Sequence, residues 1–303
     1  MTFQTQIAIG DDATLSGPFR RPAQMLANQE YGGHASVHDD AEAARLGLAG
    51  APIEGPTHFS QFDALAVRRW GQVWFERGCI SSHFLNMVVA GEQVQAFLTP
   101  FDDHSATINA VKHDGTSVLT GTASIGIGTS TELDVRRLRG LGDSGDLYIV
   151  DQLEIGMTAA PVVTTMGFNN NNGALYPFSL AEKLEQITER SSWYEPDGDS
   201  PWTASIVPTE MISVLAHQAG AHFPVRGPAV GLFIDLEVRF VDGPVLVGRP
   251  YEIVHSVVGI GQSRAVESYW TESTVTDVES GRHIASVLLH QGVFKASYPG
   301  YPS

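Results

Sequence analysis

The chain is written twice. Residues 53–71 read IEGPTHFSQFDALAVRRWG and residues 205–220 read SIVPTEMISVLAHQAG, and both place Pro-Thr at the start of a helical pattern: Pro56-Thr57 and Pro208-Thr209. Proline suits a first turn, because its missing N–H would have no helical partner there. Behind each pair the apolar residues recur at helical spacing, as Phe59, Phe62, Leu65, Ala66 and Trp70 in one copy and Met211, Ile212, Leu215, Ala216 and Ala219 in the other. Each stripe is wide enough to lie on a sheet. Long strand-like runs follow both helices. Asp114-Gly115 marks a hairpin turn in the first copy, and VESGRH takes its place in the second. The offset between copies is 152 at the prolines, 157 at Gly91 and Gly248, and 166 at Gly115 and Gly281. A drift of that kind reads as loop insertions in a duplicated unit.

Each copy therefore amounts to a strand or two, one apolar helix, then several long strands joined by tight turns. Such a unit makes an antiparallel sheet wrapped around its helix, an α+β arrangement. At 303 residues the chain is long enough for two of them. The expected units are 1–140 and 147–303, separated by the polar, glycine-rich stretch 128–146, which contains the basic run RRLR and reads as a solvated linker. The asparagine run at 169–172 reads as a loop, opening onto an amphipathic helix over 178–193.

Charge narrows the partners. With 34 acidic and 18 basic residues the net charge is −16, which opposes binding to nucleic acid or to an anionic membrane surface. No apolar run approaches the roughly 18 residues of a transmembrane helix, and the first twenty residues carry neither the basic nor the apolar region of a secretory signal. One cysteine, Cys79, cannot form an internal disulfide, so a cytoplasmic location is the default expectation. Cys79 reads as a small core residue. Tyr31-Gly-Gly precedes His34, and no Glu follows it as in a His-Glu-x-x-His motif, so His34 and His38 do not read as a metal site. The Gly-Ile-Gly stretches at 126–128 and 259–261 lie in strand patterns and are not phosphate loops. Trp70 and Trp74 are expected to cap the helix and line the core, and His217 and His222 to be core or interface histidines.

The segment HASVHDDAEAARLGLAGAPIEGPTHF, residues 34–59, resembles the motif of MaoC-like (R)-specific enoyl-CoA hydratases. There the pattern is Asp-x-Asn-Pro-x-His-x-Asp, an Ala, a glycine-containing turn, and Ile-x-His-Gly opening a long helix. The resemblance covers the first half; in the second it rests on the helix-then-strands order. It implies a double hotdog, with two antiparallel sheets each wrapped around a long central helix. It places the family's catalytic histidine on His38, the following aspartate on Asp40, the alanine on Ala44 and the helix glycine on Gly55. In the family that glycine's N–H polarises the thioester carbonyl, a sensible task for a donor at a helix N-terminus. Pro56 has no N–H, so Gly55 and Thr57 are the expected donors, and His58 on the first turn could face the same site.

The departures matter as much. The family's catalytic aspartate falls on Gly33, its Asn-Pro on Ala35-Ser36, and its histidine before the helix glycine on Glu54. Hydration needs two groups to hold one water and pass protons, so the partner of His38 is expected to be His34 or Glu54. The implied ligand is an acyl-CoA thioester in a tunnel between the two units, with coenzyme A part of the substrate and no separate cofactor. The implied reaction is addition of water to a 2-enoyl-CoA. A thioesterase using Glu54, and a non-catalytic acyl-CoA binder explained by Gly33, are the alternatives. The implied assembly is a homo-oligomer, a dimer of double hotdogs.

Overall fold

A computed structural model describes residues 2–29, 36–126, 128–138, 145–220 and 223–302. Among the described residues eleven strands form one antiparallel sheet: β1 (Ala8–Ile9), β2 (Leu15–Ser16), β3 (Gly78–Phe84), β4 (Val94–Pro100), β5 (Ser105–Lys112), β6 (Ser117–Ile125), β7 (Val162–Thr165), β8 (Gly231–Phe240), β9 (Pro250–Gln262), β10 (Val266–Asp277) and β11 (His283–Phe294). The order across the sheet is β1-β2-β4-β5-β6-β3-β8-β11-β10-β9-β7. Apart from the short β1, it is a palindrome. β2 mirrors β7, and the four strands after one central helix mirror the four after the other.

The two expected sheets are thus a single one. They join where β3 pairs with β8, in register from Cys79↔Arg239 to His83↔Asp235. Joining buries two edges that would otherwise each offer a row of unpaired N–H and C=O groups. The duplication shows in the turns as well. Gly91 and Gly248 have φ of 89° and 79°, and Gly115 and Gly281 of 87° and 68°, values in which side chains are strained and glycine is not. Burial along β9 alternates for nearly its whole length, as it must in a strand with one face packed on a core.

Six α-helices are described: α1 (Asp40–Arg45), α2 (Phe59–Trp70), α3 (Val73–Arg77), α4 (Glu132–Leu138), α5 (Leu180–Gln186) and α6 (Thr209–His217). The two helices foreseen behind the Pro-Thr pairs are α2 and α6. α2 packs on β4, and α6 on β7, β8, β10 and β11, and the two touch each other. Phe59, Phe62, Leu65 and Ala66 on α2, and Ile212 and Leu215 on α6, are fully buried. Burying one such side chain contributes about 1.5–3 kcal/mol. Asp63 of α2 joins the helices. Its carboxylate accepts the backbone N–H (3.2 Å) and hydroxyl (2.5 Å) of Thr209, the Trp74 indole N–H (2.8 Å) and the Tyr194 hydroxyl (3.0 Å). Burial pushes Asp63 up to about 6, against these four donors, which favour the anion. Trp70 stacks on the buried Trp74 at 5.9 Å, so this pair does close the helix end and line the core.

Two expectations about the middle of the chain fail. The stretch 128–146 is not simply a solvated linker, because α4 lies within it. Leu133 is fully buried against Trp270 and Leu288, and Arg136 Nε reaches Asp235 at 2.9 Å. The apolar surface of the sheet's second face has to be covered, and α4 covers part of it. The helix expected over 178–193 ends at Gln186. Ser179 caps its start with a full capping box, and Ile187 turns extended. The chain then runs along the first half: Thr188 bonds Ser60 (2.7 Å), Glu189 pairs with Arg20 (2.6 Å), and Ser191 bridges to Phe3.

Candidate active site

A cavity of about 220 Å³ opens at the start of α2 and is lined from both halves. The first half supplies Val37, His38, the turn ahead of α2, and Phe84 to Val88; the second supplies Lys183, Glu210, Met211, Val214 and the first residues of β8. A cavity of about 150 Å³ accommodates benzene, so this one has room for a ligand group of at least that size. At one end the lining residues Leu85 and Asn86 are exposed, whereas Thr57, His58, Lys183 and Glu210 are buried. The deep wall is therefore the polar one, which an unsubstituted greasy pocket would not have.

His38 lies in the turn just ahead of α1, and its backbone is fixed on both sides. Its N–H donates to Ser36 Oγ at 3.1 Å, and its carbonyl accepts from Gln24 Nε2 at 2.7 Å. The ring nitrogen Nδ1 lies 2.7 Å from the Pro52 carbonyl oxygen. A carbonyl only accepts, so Nδ1 carries the proton and Nε2 is the atom left to exchange one.

Gly55 opens the 3-10 turn Gly55–His58 that leads into α2. As the first residue of that turn its N–H has no partner within it. A Cβ at Gly55 would sit 2.6 Å from the Phe84 ring, so only glycine lets the backbone approach this aromatic wall.

The deep wall carries four polar groups. Glu54 Oε1 accepts the Met25 N–H at 2.9 Å, while its buried Oε2 makes no hydrogen bond. His58 is 2% exposed, its Nδ1 has no partner, and burial beside Lys183 lowers its pKa to about 4, so it is neutral at pH 7. Glu210 is also 2% exposed, and neither of its oxygens makes a hydrogen bond. Burial pushes it up to about 7, helped by the charges of Asp63 and Glu54 and opposed by Lys183. Lys183 Nζ donates to Thr57 Oγ1 at 3.1 Å and lies 3.4 Å from Glu210 Oε2.

Of the residues singled out in the sequence, His38, Glu54, Gly55, Thr57 and His58 line this one cavity. Two assignments among them change. The Thr57 N–H donates to the Glu54 carbonyl at 3.1 Å, closing the turn, so it is not aimed at a ligand; the hydroxyl is what faces the cavity wall, held by Lys183. Asp40 is exposed on α1, accepts the Ala51 N–H at 3.1 Å and is not among the residues lining this cavity. His34 and Gly33 lie outside the described residues, as does His222. His217 is a half-buried histidine whose Nδ1 lies 2.8 Å from the Ser213 carbonyl oxygen. Cys79 is buried. Among the described residues no three His, Cys, Asp or Glu side chains converge on a metal-sized point, and no helix is long and apolar enough to cross a membrane.

Sequence reasoning missed Glu210 and Lys183. Glu210 stands 152 residues after His58, the same offset as the prolines. Superposing the two copies position by position is the signal that would have found it. Lys183 has no such signal, since α5 is not part of the repeat.

No family model matches the sequence, and no curated protein matches it. Solved structures do match over their whole length. A conserved hypothetical protein from Mycobacterium tuberculosis with a double hotdog fold aligns with a TM-score of 0.56 and 10% identity, covering 97% of each chain. The dehydratase domain of the polyketide PpsC from M. tuberculosis gives 0.54 and 13%, covering 95% of this chain and 97% of that one. A MaoC-like dehydratase gives 0.51 and 13%, covering 97% and 98%. Together with the palindromic sheet and its two central helices, these likenesses identify the chain as a double hotdog protein.

Proposed function

We propose that the protein adds water reversibly to a 2-enoyl thioester, with coenzyme A or a related carrier as the thiol. The observation that carries this reading is the meeting, in one cavity, of His38 with a single free ring nitrogen, the Gly55 N–H at a helix start, and Glu210 with a pKa near neutrality. Hydration needs a base for water, a proton for C2, and a donor for the carbonyl oxygen on which charge develops. His38 Nε2 takes the proton as the water oxygen bonds to C3. Glu210 in its protonated form delivers a proton to C2. The Gly55 N–H receives the enolate-like oxygen. Glu54 is tied to the Met25 N–H, and its charge favours the proton on Glu210. His58 is too weak a base, at about 4, to serve as the acid near pH 7. The solved dehydratases of similar fold support the same class of chemistry.

The test is incubation with crotonyl-CoA and with 3-hydroxybutyryl-CoA. Loss of enoyl absorbance from the first, and its appearance from the second, is expected; a His38→Ala protein that keeps full activity would falsify the assignment. A thioesterase is the second reading, favoured by the buried, partnerless Glu54 Oε2 beside Gly55. Release of free thiol without hydration would select it, and binding without turnover would leave an acyl-thioester binder.

A further inference from the structure

Lys183 is outside the duplicated plan. It comes from α5, in the second half but ahead of the repeated helix, and reaches the cavity because the chain around it is laced to the first half through Thr188–Ser60 and Glu189–Arg20. It is 4% exposed, its ammonium touches Thr57 Oγ1 at 3.1 Å, and Glu210 Oε2 lies at 3.4 Å. Thr57 belongs to the start of one central helix and Glu210 to the start of the other. We propose that Lys183 is a positioning residue for the reaction: its ammonium ties the two helix starts together across the cavity and so fixes the place and the charge of the Glu210 carboxyl.

This inference rests on the hydration reading for its catalytic meaning, though the tie itself does not. The charged and titratable groups around Glu210 are Lys183 from α5, Asp63 from α2, Glu54 from the turn ahead of α2, and Tyr194, with neutral His58 also beside Lys183. Two of the five, Asp63 and Glu54, are carboxylic acids. Lys183 is the one cation within ion-pair distance among the described residues. An opposite charge this close lowers a carboxylic acid by about 1–3 pH units. Without the ammonium, Glu210 holds its proton to higher pH and loses the contact that orients it, while Thr57 Oγ1 loses its donor.

The experiment compares wild type, Lys183→Met, Lys183→Arg and Glu210→Gln. Infrared difference titration of the ligand-free protein reads the Glu210 carboxyl band, identified by its absence in Glu210→Gln. The band is expected to titrate at least about one pH unit higher in Lys183→Met and close to wild type in Lys183→Arg. In the same proteins the alkaline limb of kcat/KM for crotonyl-CoA hydration is expected to move up with the band. Thermal unfolding of each variant checks that it is folded. An unmoved band in folded Lys183→Met overturns the proposal, as does a shift equally large in Lys183→Arg. A shifted band in a protein that hydrates no enoyl thioester upholds the tie and counts against the hydration reading alone.

Discussion

At the first helix start, Thr57 is held through its hydroxyl by Lys183, and a cavity lies beyond it. At the second, Thr209, 152 residues later, gives both its backbone N–H and its hydroxyl to Asp63. Around Asp63 the space is aromatic. Tyr194 donates to it, and Tyr194, Trp193, Trp202 and Phe240 all pack edge-on against Phe75 at 6.0–6.3 Å. The position on α6 that matches Asp63 by the same offset is Leu215, so no carboxylate waits there to hold Thr57. The entrance residues differ as well, since Gly55 on the open side matches Val207 on the filled one. Duplication thus provides two helix starts of equal pedigree. One is filled with rings around Asp63 and contributes stability, and the other stays open to the cavity. A hole and a desolvated carboxyl are costly, and the filled side is where the fold offsets that cost.

The comparison can be broken from the open side first. His38→Ala is expected to lower kcat/KM for 2-enoyl thioester hydration about 10²- to 10⁴-fold, with unfolding free energy changed by only about 1 kcal/mol, because what the ring gives up is its hydrogen bond to the Pro52 carbonyl. Progress curves and urea titrations of the same preparation separate the two. Breaking the filled side does the reverse. Phe75→Ala, at a fully buried ring, is expected to cost about 3–5 kcal/mol in urea unfolding, with turnover per folded molecule close to wild type. Asp63→Leu gives α2 the residue that α6 already has. It leaves buried donors on Thr209, Trp74 and Tyr194 and is expected to cost at least about 2 kcal/mol, read as a lower denaturation midpoint.

Smaller effects sharpen the picture. Gly55→Ala forces a methyl to within 2.6 Å of Phe84; a loss of about 1–3 kcal/mol is expected, together with reduced turnover, since the Gly55 N–H moves with the backbone. The last effect is a slope. Glu210 is near 7 when folded, above its ordinary 4.5, so its contribution to stability is full below about pH 4.5 and declines as pH rises to about 7. His58, lowered from 6.5 to about 4, contributes in the opposite sense: full above about 6.5 and lost as pH falls toward 4. Glu210→Gln removes the first slope and keeps the second. Its stability relative to wild type is expected to rise between pH 4.5 and 7, and a flat difference across that window refutes the assignment.

Much of this was legible in the sequence because it is local. Proline at a first turn, glycine at a positive φ, and apolar residues at helical spacing act over a few neighbours. Pro56 with Pro208, Gly91 with Gly248, and the stripes of α2 and α6 therefore foretold two helices, their turns and the duplication. The order of segments also placed His38, Glu54 and Gly55 close together, since a short loop and a turn connect them. Asp40 shows the limit of the same reasoning: the motif gave it a place in the chain, and the helix it starts leaves it exposed to solvent, off the cavity lining. What tertiary structure alone decided is which far-off groups meet and what charge they carry there. Glu210 in a first turn reads as an acid favoured by the helix dipole, and Lys183 as a charge on the outer face of a short helix. Only when 172 residues of chain bring α6, and a segment outside the repeat brings α5, against the turn after His38 are both shut away from water. Desolvation then sets the proton affinity of Glu210, and that is a property of the surroundings rather than of the residue type.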